Sequence, residues 1–151
     1  MKKPITIAYN KNCKAIDLGP FSELSSYEFL HPLFKKVDKG RIFTGEYLES
    51  TGAEISFREL PPNTKIPFLH KHHKHEEIYI FLKGHGQFQV DNDVFDVREG
   101  SLVRVSPDGN RTLCNCADEV MVYMVVQSSA GSLAAYNVKD GYRSEGDVKL
   151  Y

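Results

Sequence analysis

The residues most able to do chemistry lie in one short stretch, Phe68-Leu69-His70-Lys71-His72-His73-Lys74-His75-Glu76-Glu77, which holds four of the six histidines. His70 and His72 are two apart, and on an extended chain side chains two apart point to the same side. Two imidazoles on one face, joined by a carboxylate from the following strand, supply three ligands of a metal site. A nitrogen and oxygen set of this kind suits a divalent transition metal such as Fe, Mn, Ni, Cu or Zn, and an open position on the ion admits water or substrate. Glu77 opens the next strand with Tyr79 and Phe81 on its face, so these two rings are expected to wall a small-molecule pocket, with Glu76 turned away. His73 and His75 are expected on the loop between strands. A solvated histidine loop that binds metal loosely is the plain alternative.

The elements that must hold these residues read as strands. Ala53, Ile55 and Phe57 alternate with Glu54, Ser56 and Arg58, the period of a half-buried strand. Pro61-Pro62-Asn63 ends it. Ile78 to Leu82 is a compact apolar run, and Lys83-Gly84-His85-Gly86 follows as a turn. Phe88 and Val90 alternate with glutamines. Asn92-Asp93 turns the chain into Val94 to Val97, and Glu99-Gly100 turns it into Ser101 to Val105. After Pro107-Asp108-Gly109-Asn110 come Arg111 to Cys116 and Val120 to Gln127. Seven short strands with Gly, Pro and Asn-Asp punctuation, and no helix longer than two turns, predict an all-β sandwich or barrel. Tyr79, Phe81, Phe88, Tyr123 and Met124 read as its core. Cys114 and Cys116 share one strand face and read as small buried hydrophobes.

Composition narrows the class. The 151 residues fit one domain, with 41% hydrophobic and 26% charged residues and a formal charge of -1. No basic surplus exists to neutralise phosphates, so nucleic acid is not an expected partner. No apolar run reaches the roughly 20 residues of a membrane helix. The apolar stretch after Lys2-Lys3 is too short for a signal peptide, and three cysteines read as free thiols, so the cytoplasm is the expected location. The barrel core is expected at about residues 41–127, with an N-terminal arm over 1–40 and an irregular tail over 128–151, in a single domain over 1–151.

The pattern His70-x-His72, four residues, Glu77, six residues, Gly84 is similar to the first signature motif of the cupin superfamily. Gly100, Pro107-Asp108-Gly109 and Asn115 resemble its second. The resemblance covers about residues 50–127 and implies an antiparallel jelly-roll β-barrel in which His70, His72 and Glu77 ligate a metal. It also implies a homodimer, since cupins often pair their barrels. One departure stands out. Where the family places a fourth ligand, a histidine four residues before the asparagine, this chain has Arg111, which cannot coordinate a metal. The spacing from Gly100 to Pro107 is one longer than the usual form, and from Gly109 to Arg111 one shorter. The chain resembles the small single-domain bacterial cupins of unassigned substrate that carry arginine here.

Arg111 leaves two alternatives. It pairs with Glu77 in a metal-free polar pocket, or it presents its planar fork to an anionic substrate beside a three-ligand metal. The functional expectation is correspondingly double. One reading is a metal-binding cupin acting on or binding a small organic molecule, with an anionic one suggested by Arg111. The other is a non-catalytic, metal-free binding cupin.

Overall fold

The computed structural model describes residues 2–32, 35–133 and 140–150. The part of the expected tail that falls on 134–139 and 151 lies outside the described residues. Thirteen strands follow one another: β1 Ile5–Asn10, β2 Cys13–Asp17, β3 Glu28–Leu30, β4 Val37–Lys39, β5 Arg41–Phe43, β6 Ala53–Leu60, β7 Thr64–Lys65, β8 His75–Lys83, β9 His85–Val90, β10 Asp93–Arg98, β11 Leu102–Val105, β12 Arg111–Asn115 and β13 Met121–Ser129. A 3-10 helix at Phe21–Ser26 and a single α-turn at Gly45–Leu48 complete the described elements. The architecture is the expected all-β jelly roll.

Two sheets form the barrel, one in the order β11-β8-β13-β6-β5 and the other β10-β9-β12-β7. All strand pairs are antiparallel. Between the sheets lies a core of Leu60, Tyr79, Phe81, Phe88, Val97, Val105, Leu113, Met121, Tyr123 and Val125. The period of two delivers it: in β13, Met121, Tyr123 and Val125 point inward. Met124 falls on the opposite, outer face and is only half-buried, so it is not the core residue its hydrophobicity suggests. The 3-10 helix covers part of that outer face, where Leu24 and Tyr27 pack with Ile42 and Val122.

The expected turn at Lys83-Gly84-His85-Gly86 is narrower than its sequence suggests. β8 runs to Lys83 and β9 starts at His85, and the two strands belong to different sheets. Gly84 is therefore the point at which the chain crosses the barrel wall. Its φ is +79°, and a β-carbon there would stand 2.8 Å from the Val120 carbonyl oxygen. Only glycine meets both demands cheaply.

Candidate metal centre

β8 sets the phase of the site. Glu77, Tyr79 and Phe81 are buried while Ile78 and Ile80 between them are half-exposed. Glu76 faces outward and is bridged by Arg104 at 2.7 Å. The histidines come from the extended segment before β8, which is tied to the β12 region by backbone bonds. His70 and Arg111 exchange both N–H to carbonyl bonds, at 3.1 and 3.0 Å, and the His72 N–H donates to the Pro107 carbonyl at 3.1 Å. The two motif-bearing segments are thus one backbone unit, with the Pro107-Asp108-Gly109 turn beside the imidazoles.

The side chains converge on the Glu77 carboxylate. His72 Nε2 lies 3.2 Å from Oε1 and His70 Nε2 lies 3.7 Å from Oε2. The ring centroids of the two histidines are 5.6 Å apart. Oε2 also accepts the Tyr79 hydroxyl at 2.7 Å and the Arg111 Nε and Nη2 donors at 3.1 and 3.0 Å. Arg111 is fully buried, and its Nη1 donates to the Gly109 and Pro107 carbonyls at 2.8 and 3.4 Å. Each guanidinium nitrogen thus donates to a protein partner. Arg111 thereby makes the contact with Glu77 that one of the sequence alternatives contains.

These contacts set the charges. Burial pushes the Glu77 carboxyl up, but His70, the Tyr79 hydroxyl, His72 and the Arg111 guanidinium outweigh it and hold the group at about 2, against an ordinary 4.5. The carboxylate is therefore ionised at neutral pH. Burial keeps His72 below the ordinary imidazole value despite the nearby carboxylate, with Arg111 and His70 adding to the depression. Burial, and then the Glu77 charge, drive the Tyr79 hydroxyl well above its ordinary 10, so it stays a donor.

The residues fit a metal ion. For ligand bonds of about 2.1 Å, tetrahedral geometry places donor atoms about 3.4 Å apart, and the 3.2 Å between His72 Nε2 and Glu77 Oε1 is close to that spacing. Ligand atoms of His70, His72 and Glu77 all lie within 4.8 Å of one another. His72 Nε2 and His70 Nδ1 are buried without a hydrogen-bond partner. The close His72–Glu77 approach is thus an electrostatic contact and not an aligned hydrogen bond. A neutral imidazole and an ionised carboxylate are the protonation states a metal requires.

The structure therefore brings together His70, His72, Glu77, Tyr79 and Arg111. Phe81 lies deeper, 1% exposed, against Phe88 and Tyr123. His75 is the first residue of β8 and not a loop residue, and its ring lies 6.5 Å from that of His72. His73 is exposed. The sequence does not reveal that the Tyr79 hydroxyl binds Glu77, though its i+2 spacing from Glu77 is the available signal. It also conceals the role of Asn115. That side chain donates to the Leu60, Pro61 and Glu119 carbonyls and accepts from the Ala117 N–H, fastening the end of β6 to the β12–β13 connection.

Comparison with known proteins agrees with this architecture. Residues 56–127 match the family model described as the cupin domain. A cupin protein from Bacteroides fragilis is 34% identical, with a TM-score of 0.66 over 70% of this chain and 89% of that one. A predicted oxalate decarboxylase from Thermotoga maritima shares the fold at 20% identity, with a TM-score of 0.54 over 63% of this chain and 83% of that one. An uncharacterized curated protein from Methanocaldococcus jannaschii is 44% identical over 39 residues, which span 26% of this chain and 31% of that relative. No helix among the described residues is long and apolar enough to cross a membrane. With the cupin-domain match and the 34%-identical cupin protein covered over 89% of its length, the chain belongs to the cupin family.

Proposed function

We propose that the protein is a metal-dependent cupin that binds a small anionic organic molecule at the open side of a centre made by His70, His72 and Glu77. The observation that carries this reading is the convergence of the three ligands, with the buried His72 Nε2 that faces Glu77 left unpartnered. The bound ion would act as a Lewis acid on an oxygen of the ligand.

Charge supports an anionic ligand. Glu77 and Arg111 cancel one another, so a divalent ion leaves a surplus of two positive charges in a half-buried site. A carboxylate or similar anion relieves that surplus. Arg111 then acts through Glu77 and not on the ligand. It holds Oε2, with help from Tyr79, and leaves Oε1 facing His72. Arg111 and Tyr79 are positioning residues in this scheme. The side chains of His70 and His72 are 33% and 23% exposed, so the two imidazoles lie toward the solvent-facing edge of the centre.

The Arg111–Glu77 pair also favours a second reading, a metal-free pocket in which the arginine has replaced the ion as the partner of the carboxylate. Thermal-shift titration separates the two. Metal-loaded protein is expected to be stabilised by small mono- and dicarboxylates and chelator-treated protein is not. Equal shifts in both forms would favour the metal-free reading, and no shift in either would remove the anionic ligand.

The expected homodimer has support in the β1–β2 ribbon, whose surface carries Ile5, Ile7 and Tyr9, each about two-thirds exposed. A two-stranded ribbon with such a face gains from covering it. A monomer mass that does not change with concentration in light scattering would remove this idea.

A further inference from the structure

Hydrophobic patterning would bury Cys114 and Cys116, and the structure does the opposite. β12 buries Arg111, Leu113 and Asn115, so Thr112 and Cys114 face out of the barrel. Cys116, just past the strand end, is exposed, and Cys114 is half-exposed. Cys114 sits in a row across the outer surface of its sheet, with Asp96 opposite Gln87, Gln87 opposite Cys114, and Cys114 opposite Lys65. The strands meet closely here. A β-carbon on Gly86 would stand 2.1 Å from the Cys114 carbonyl oxygen, so only glycine permits the approach.

The Cys114 thiol beside it, and then burial, raise the Cys116 thiol above its ordinary value. Asn115 between them is 1% exposed and held by four hydrogen bonds, which fixes the backbone that carries both sulfurs. Beside Cys116 lies an open cavity of about 660 Å³, lined also by His85, Gln87, Asp96 and Ser101.

We infer that Cys114 and Cys116 are a redox-active dithiol that exchanges with low-molecular-weight disulfides entering this cavity. Metal chelation is less well served. Among the described residues, the group of three ligands within reach of one ion is His70, His72 and Glu77, and the thiols have no third partner of that kind. Exchange needs only two sulfurs in reach of each other and room for a small disulfide.

The steps balance. One cysteine loses its proton and attacks a sulfur of the small disulfide. That S–S bond breaks, a mixed disulfide forms, and the departing thiolate takes up the proton. The second cysteine, deprotonated in turn, attacks the protein-bound sulfur and expels the second small thiolate, which takes the second proton. The protein loses two electrons and two protons as the Cys114–Cys116 bond forms, and the small disulfide gains them as two thiols.

The test uses full-length reduced protein incubated with glutathione disulfide and read by intact mass and thiol alkylation. The chain has three cysteines. The expected product has lost two hydrogens, keeps only Cys13 alkylatable, carries the loss in the peptide with Cys114 and Cys116, and returns to the starting mass with excess reduced glutathione. The variant C116S should stop at a stable glutathione adduct on Cys114, and C13S should behave as the parent. Three thiols left free, adducts that never close in the parent chain, or bridges through Cys13 would each overturn the inference.

Discussion

The two faces of β12 carry opposite chemistries. Toward the barrel stand Arg111, Leu113 and Asn115, all buried. Outward stand Thr112 and Cys114, with Cys116 following. The inner polar groups are fully engaged: the guanidinium by Glu77 and two carbonyls, the amide by four backbone groups. On the outer face the Thr112 hydroxyl donates to the Ile66 carbonyl, while the two thiols are reached by solvent. The comparison teaches that side-chain type alone does not decide which face of a strand is buried. A permanent cation lies inside because partners wait there, and two thiols lie outside because nothing packs over them.

The sharpest way to break this comparison is to remove an inner partner. R111A leaves a buried carboxylate uncompensated and is expected to destabilise the fold by about 3–5 kcal/mol in denaturant titration. The double variant E77Q/R111M should recover most of that loss, because the penalty is the unpaired charge and not the absence of the pair. A loss below 1 kcal/mol for R111A would show that the ion pair is not the structural anchor described here.

A pH titration of chelator-treated protein tests the same pair. The folded Glu77 value of about 2 lies below the ordinary 4.5. Its ionised form therefore stabilises the fold above pH 4.5, and that stability is lost as pH falls from 4.5 through about 2. The contribution is of the order of 3 kcal/mol. An unfolding free energy flat across that window would contradict it. Y79F removes one charge-assisted hydrogen bond and should cost about 1.5–3 kcal/mol while narrowing the pH window. The smallest expected effect is on the outer face, where C114S should change stability by no more than about 0.5 kcal/mol in the same denaturant assay. A larger loss would mean that the thiol is packed after all.

Much of this was legible in the chain. The alternation across Glu77, Tyr79 and Phe81 correctly places the three on one face, and the spacing of His70 and His72 brings both rings to that carboxylate. β12 was misleading for a physical reason. Hydropathy favours burial of Leu113 with the cysteines, but Leu113 lies on the opposite face from them. The true phase is set by groups distant in sequence, Glu77 on β8 and the carbonyls of Leu60 and Pro61, together with the adjoining turn at Pro107 and Gly109. The short strands β5 and β7 carry too few residues to show a period, and exist because β6 and β12 offer them an edge. The pairing of Arg111 with Glu77 was one of two alternatives in the sequence, and only the placement of both strands decides between them.

The central claim is that His70, His72 and Glu77 hold a metal although Arg111 occupies the place of a fourth ligand. The most direct test is elemental analysis of untagged protein after metal loading and extensive dialysis, beside the H70A/H72A variant. The account predicts about one transition-metal ion per chain in the parent protein and none in the variant. A parent protein that retains no metal, or a variant that retains the same amount, would contradict it.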